Sequence, residues 1–204
     1  MRKRSLFILV AMLALLSLAC SALTGGDSNG SGSSSPGVDI TVDNRSPDEV
    51  CYVLISPSSS DMWGDDQLGE DETIAPGDSR TFSMGDDIYD VRVEACSEAA
   101  VATAWEVSSD DTVVVGSSGA DTRLLVTNSS GVNVCYVFIS PSTADDWGED
   151  WMGDMEQLIS GESRLFYVEA GTYDLRVDDC DNETLTEEYE VDLTEDLTWE
   201  LYDE

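Results

Sequence analysis

The chain has 204 residues, 41% of them hydrophobic, and a formal net charge of −34 with no histidine. Arg2, Lys3 and Arg4 stand at the N-terminus, and beyond them Arg45, Arg80, Arg92, Arg123, Arg164 and Arg176 are the only cations among 43 acidic side chains. So negative a surface repels phosphate backbones, which excludes nucleic acid as a partner. The lack of histidine and of any later lysine excludes Ser–His, Cys–His and Schiff-base catalysis.

The three N-terminal cations precede the uncharged apolar run SLFILVAMLALLSLA (5–19), which has the length of a signal-peptide core and is short for a transmembrane span. It ends in LSLAC, with small Ala19 directly before Cys20. This resembles the lipobox of bacterial lipoproteins, with Ser17 where that family most often has leucine. The resemblance implies removal of 1–19, lipid modification of Cys20 and membrane attachment through that lipid on the extracytoplasmic side. The alternative is an ordinary secretory signal in which Cys20 is incidental. Residues 20–37 follow as a Gly/Ser-rich tether with almost nothing that packs.

Beyond the tether the sequence repeats itself at an offset of 84: Cys51 falls on Cys135, Trp63 on Trp147, Tyr89 on Tyr173 and Cys96 on Cys180. This predicts two copies of one module, 38–115 and 123–204, joined by a short linker at 116–122. In each copy DITVDN or RLLVTN leads in and ends on an asparagine suited to a turn. Next comes VCYVLIS or VCYVFIS, apolar on both parities, which predicts a strand buried on two sides. SRTFSM and SRLFYV, then YDVRVEA and YDLRVDD, form a predicted hairpin. In its second strand Tyr89, Val91 and Val93 face inward while Asp90, Arg92 and Glu94 face out. Two further strands lie around AWEVS/EYEVDL and TVVVG/LTWELY. No window carries helical periodicity, so the predicted fold class is all-β, two tandem antiparallel β-sandwich modules.

Cys51, Cys96, Cys135 and Cys180 are predicted to be disulfide-bonded outside the cytoplasm. The repeat favours Cys51–Cys96 and Cys135–Cys180, with cross-pairing between copies as the alternative. Strict alternation sets Cys96 on the Arg92 face. The bridge therefore needs the strand to end or bulge before it, or is a surface staple.

The long connection after the second strand carries Asp-x-Trp-Gly-x-Asp-x-x-Gly-x-x-Glu in both copies. Asp61, Asp66 and Glu72, with Asp145, Asp150 and Glu156, are the candidate calcium ligands, since Ca²⁺ takes six to eight oxygens from a flexible loop. Trp63 or Trp147 at the third position and Asp66 or Asp150 at the sixth exclude an EF-hand. Set against calcium is a structural reading: the tryptophans cap the sandwiches, the glycines shape the loop and the acids are solvated. Arg92 and Asp90 are expected to pair along one strand face.

The pattern YV-ISPS…W…D…G…G-S…F…YD-R is similar to a domain of uncharacterised secreted bacterial proteins, over 40–115 and 124–203. That resemblance implies fold and location and carries no activity. The sequence thus points to an extracytoplasmic lipoprotein with a non-catalytic binding or envelope-structural role and no required cofactor. A calcium-binding module is the second reading, and a carboxylate-dependent hydrolase a distant third.

Overall fold

A computed structural model describes residues 37–203, all within one compact unit, Ser34–Glu204. The segment 1–19 predicted as a signal peptide, Cys20 and most of the predicted tether lie outside the described residues.

The fold is all-β. The first copy supplies β1 (Asp39–Asn44), β2 (Val50–Pro57), β3 (Ser79–Ser83), β4 (Tyr89–Ala95), β5 (Ala100–Val107) and β6 (Asp111–Val115). The second supplies β7 (Thr122–Asn128), β8 (Val134–Pro141), β9 (Ser163–Val168), β10 (Thr172–Asp179), β11 (Thr184–Asp192) and β12 (Leu197–Leu201). In each copy a β3-β1-β6 type sheet faces a β2-β4-β5 type sheet. Alternate residues of both sheets, such as Ile40, Val42, Val53, Val91, Val93 and Val115, bury one face into a shared core. The second core is built from the matching Leu124, Val126, Val137, Leu175 and Val177. Most pairs are antiparallel, as expected, but the last strand of each copy returns parallel to the first: Val42 lies opposite Val113, and Val126 opposite Trp199.

Three strand expectations are corrected. The predicted hairpin does not form: β3 pairs with β1 while β4 lies between β2 and β5 in the other sheet, and β9 and β10 are separated in the same way. β2 and β8 lie at sheet edges and are half-buried on their outer faces, not enclosed on both. The residues after β2 supply the cover: Val50 and Ile74 exchange both backbone hydrogen bonds, as do Val134 and Leu158. Asp90 does not pair with Arg92. It is buried, accepting from the Ser58 hydroxyl and the Glu106 amide at a bulge where Glu106 holds φ 54°, and Asp174 repeats this with Ser142 and Glu190. Arg92 bonds Glu94 at 2.6 Å instead, and Arg176 bonds Asp178 in the same way.

Cys51 is bonded to Cys96 and Cys135 to Cys180, each 45 residues apart. The parity conflict resolves at both ends. β4 stops at Ala95, which puts Cys96 in an exposed turn, and the β2–β4 register shifts between Val50 and Tyr52, across Cys51. The bridges are staples at the rim. Asn44 and Asn128 do far more than turn the chain. Each is fully buried, donates to two carbonyls and accepts from the amide and hydroxyl of Ser46 or Ser130.

The two copies are not separate beads. β5 and β9 meet in parallel at Ala100 and Arg164, which joins the sheets into one of order β12-β7-β9-β5-β4-β2. Sequence differences between the copies fall on this joint. The outward face of β1 and β3 carries Thr41, Thr81 and Ser83, with the two threonine hydroxyls bonded at 2.8 Å. The matching face of β7 and β9 carries Leu125, Leu165 and Tyr167, which pack on the first core while Phe166 and Val168 fill the second. Across from them stand Ala99, Ala100 and Ala102, where the second copy has Glu183, Thr184 and Thr186. Small side chains let β9 approach. The outer strands of the pair, β3 and β11, keep polar and acidic faces, which discourages a further copy from joining.

Candidate functional site

The repeated acidic loop is built onto the open edge of β2. The Asp66 carboxylate accepts from the Val53 amide at 2.9 Å and the Leu68 amide at 3.0 Å, and the Gln67 amide donates to the Val53 carbonyl. Asp150 does the same for Val137 and Met152 in the second copy. The aspartate stands where a neighbouring strand's carbonyl would stand, so the loop satisfies and guards an edge. Burial pushes the Asp150 carboxyl up from its ordinary value, with the Val137 and Met152 amides opposing. Gly64 follows from the same close approach: a Cβ there would lie 2.7 Å from the Ile55 carbonyl oxygen.

The other candidate ligands go elsewhere. Glu72 binds the Gly69 amide and Arg80, and these contacts hold its carboxyl below the ordinary value, the Gly69 amide foremost. Glu156 binds the Gly153 amide, the Thr103 hydroxyl and Arg164. Asp61 and Asp145 are exposed. The six carboxylates are thus divided among backbone amides, arginines and solvent. Among the described residues no group of three or more Asp, Glu or Cys side chains gathers as a cation needs. The tryptophans do pack at the loops: Trp63 lies 5.3 Å from Trp105, and Trp147 lies 5.8 Å from Tyr189.

What the loops and arginines build together is the seam between the copies. Arg164, from β9, is buried; its Nη1 donates to the Ala100 carbonyl of the first copy and to Leu165. Its Nε sits 2.9 Å from Glu156 Oε1, an ion-pair contact lacking the alignment of a hydrogen bond. Burial pushes the guanidinium's pKa down, and the Glu156 carboxylate opposes that shift. The Thr103 hydroxyl reaches Glu156 across the seam, and Arg92 lies 3.5 Å from Glu162.

At the opposite rim Arg123 donates from Nε and Nη2 to both oxygens of Asp48, and a second contact reaches Asp196. Arg123 holds the Asp48 carboxyl below its ordinary value of 3.8, its hydrogen bond contributing most. The nearby Tyr167 phenol is pushed up to about 12, chiefly by burial. A carboxylate with a depressed folded pKa stabilises above its unfolded pKa and loses that contribution as pH falls through the folded value. Asp48→Asn should therefore lower the unfolding midpoint at neutral pH. Its gap from the parent chain should close below about pH 4. A gap that persists unchanged at lower pH rules out this ion pair as its source.

No protein-family model matches the chain, and no curated protein matches it. Among solved structures it is similar to GBS52, a minor pilin of Streptococcus agalactiae, at 10% identity and a TM-score of 0.29, over 81% of this chain and 94% of that one. It is also similar to the TIE protein of Bacillus anthracis, at 7% identity and a TM-score of 0.28, over 82% of this chain and 34% of that one. Likeness this loose says nothing about activity, and the fold rests on the strand order and registers above.

Sequence reasoning found the loops and the tryptophans, and missed the seam. The signal was present in the aligned copies: Thr81 against Leu165, Ser83 against Tyr167 and Glu183 against Ala99 are polar–apolar exchanges at outward positions.

Proposed function

We propose that this chain is an extracytoplasmic protein, held to a membrane by a lipid on Cys20, that presents two joined acidic sandwich modules in a non-catalytic role as a recognition element. The observation that carries the reading is a disulfide in each copy, placed at an exposed rim where a reducing compartment would keep it open. The leader and the lipobox-like LSLAC support the same compartment, and the Gly/Ser tether suits a module displayed away from a bilayer. The non-catalytic part is supported by how the recurring polar groups are spent. Asp66, Glu72, Asp90 and their second-copy partners satisfy amides, hydroxyls and arginines of the scaffold.

The test is fractionation of the exported chain with thiol labelling. Wild type should sediment with membranes, Cys20→Ala should move to the soluble fraction, and Cys51, Cys96, Cys135 and Cys180 should resist alkylation until reduced. Membrane retention of the Cys20→Ala chain defeats the lipid anchor, and labelling without reductant defeats the compartment.

A further inference from the structure

Along the seam runs a groove of about 320 Å³, walled on one side by Trp63 and Trp105 of the first copy and on the other by Met155 and Ile159 of the second. Met155 is 56% exposed and Ile159 46% exposed, so packing between the copies does not account for them. The first copy has Asp71 and Ala75 at the matching positions. Apolar side chains thus stand on the one loop that faces the seam. Past the tryptophan pair the groove continues into a second hollow lined by Asp61, Met62 and Asp90.

We infer that this groove holds an extended, arginine-bearing apolar segment of a partner protein. Charge commits the partner to being cationic: the chain carries −34 overall, Asp61 stands beside Trp63, and Arg92, which also lines the groove, is already held by Glu94 and Glu162. The chemistry of the guanidinium comes from the chain's own arginines. Arg80 lies 5.4 Å from the Phe82 ring, Arg164 4.9 Å from Phe166, and Arg176 between Phe138 and Trp147 at 5.6 and 5.8 Å, each with a carboxylate partner. In the second copy, then, the conserved indole of the pair already carries a guanidinium on its face.

The first copy departs at that point. Leu54 replaces Phe138, and Arg92 turns to Glu94 and Glu162, so among the described residues no arginine stacks on Trp63 or Trp105. The same aromatic geometry is left half-buried and without a guanidinium beside two methionines, side chains that adapt to varied apolar partners.

This inference rests on the recognition reading above. It is tested with the full chain and a short synthetic peptide in which arginine alternates with leucine, by calorimetry at fixed ionic strength. Binding should saturate. It should weaken about tenfold with Trp63→Ala, and about as much when citrulline replaces arginine in the peptide. The paired exposed substitutions Met155→Ser and Ile159→Ser, which leave the core untouched, should weaken it too. Trp147→Ala should leave it unchanged, because that ring is already covered. Absence of saturable binding, equal affinity for the citrulline peptide, or equal losses from Trp63→Ala and Trp147→Ala would overturn the inference. An envelope partner retained equally by wild type and by Trp63→Ala would overturn it too, while leaving the recognition reading in place.

Discussion

Glu156→Ala should destabilise the folded pair by about 3 kcal/mol, while the matching Glu72→Ala lowers the unfolding midpoint only slightly. The two glutamates hold the same sequence position in their copies and bind the same arginine eight residues on. Only their surroundings differ. Arg80 and Glu72 expose 39% and 53% of their side chains, whereas Arg164 and Glu156 expose 9% and 6% because β5 and its neighbours cover them. An exposed pair exchanges water for a partner at little net gain. Removing Glu156 instead leaves a guanidinium out of water, with two carbonyls as its remaining partners. The Thr103 hydroxyl loses its acceptor at the same time. Equal midpoints for the two variants would show that Arg164 is solvated in solution and that the copies are not closed on one another there.

The strands were legible because their code is local. Tyr89, Val91 and Val93 alternate with Asp90, Arg92 and Glu94, and the turn residues between strands are strong. The offset of 84 did more, since it paired each cysteine with its counterpart and favoured the connectivity that the structure has. Long-range partners were not legible. Asp90 reads as an outward residue, yet Ser58 and Glu106, 32 and 16 residues away, converge on it to hold a bulge. Asp66 reads as a metal ligand because a carboxylate has the same appearance in sequence whether it faces a cation or an edge amide. The deciding group, the Val53 amide, is a backbone atom and leaves no trace in the sequence.

The parallel return of β6 beside β1 was invisible for a related reason: alternation fixes which face is buried and not which neighbour a strand takes. Subtracting one copy from the other is more informative than reading either alone. Residues shared by both copies, such as Asp66/Asp150 and Asn44/Asn128, maintain the module. Residues that differ at outward positions describe what each copy touches. By that subtraction Leu165, Tyr167 and Leu125 mark the joint, and Met155 and Ile159 mark a surface the joint does not use.

Opening one disulfide should cost more than any single ion pair. Cys51→Ser with Cys96→Ser frees a loop closed over 45 residues, for which the chain-entropy relation gives about 4 kcal/mol at room temperature. Folded contacts at the site change little, because Cys96 lies in an exposed turn and Cys51 at a shifted register on an edge strand. The loss therefore resides mainly in the unfolded chain, which gains freedom. The closed segment contains most of β2, the whole acidic loop, β3 and all of β4, so a large share of the first core is assembled across it. The second copy should suffer the same loss from Cys135→Ser with Cys180→Ser, since its loop has the same length. Chemical denaturation read by tryptophan emission measures both. Midpoints that fall without a change in denaturant slope would place the effect on stability, whereas a steeper slope would report a more expanded unfolded chain. An unaltered midpoint in either double variant would mean that the rim staple does no work, leaving the core alone to hold a module this small.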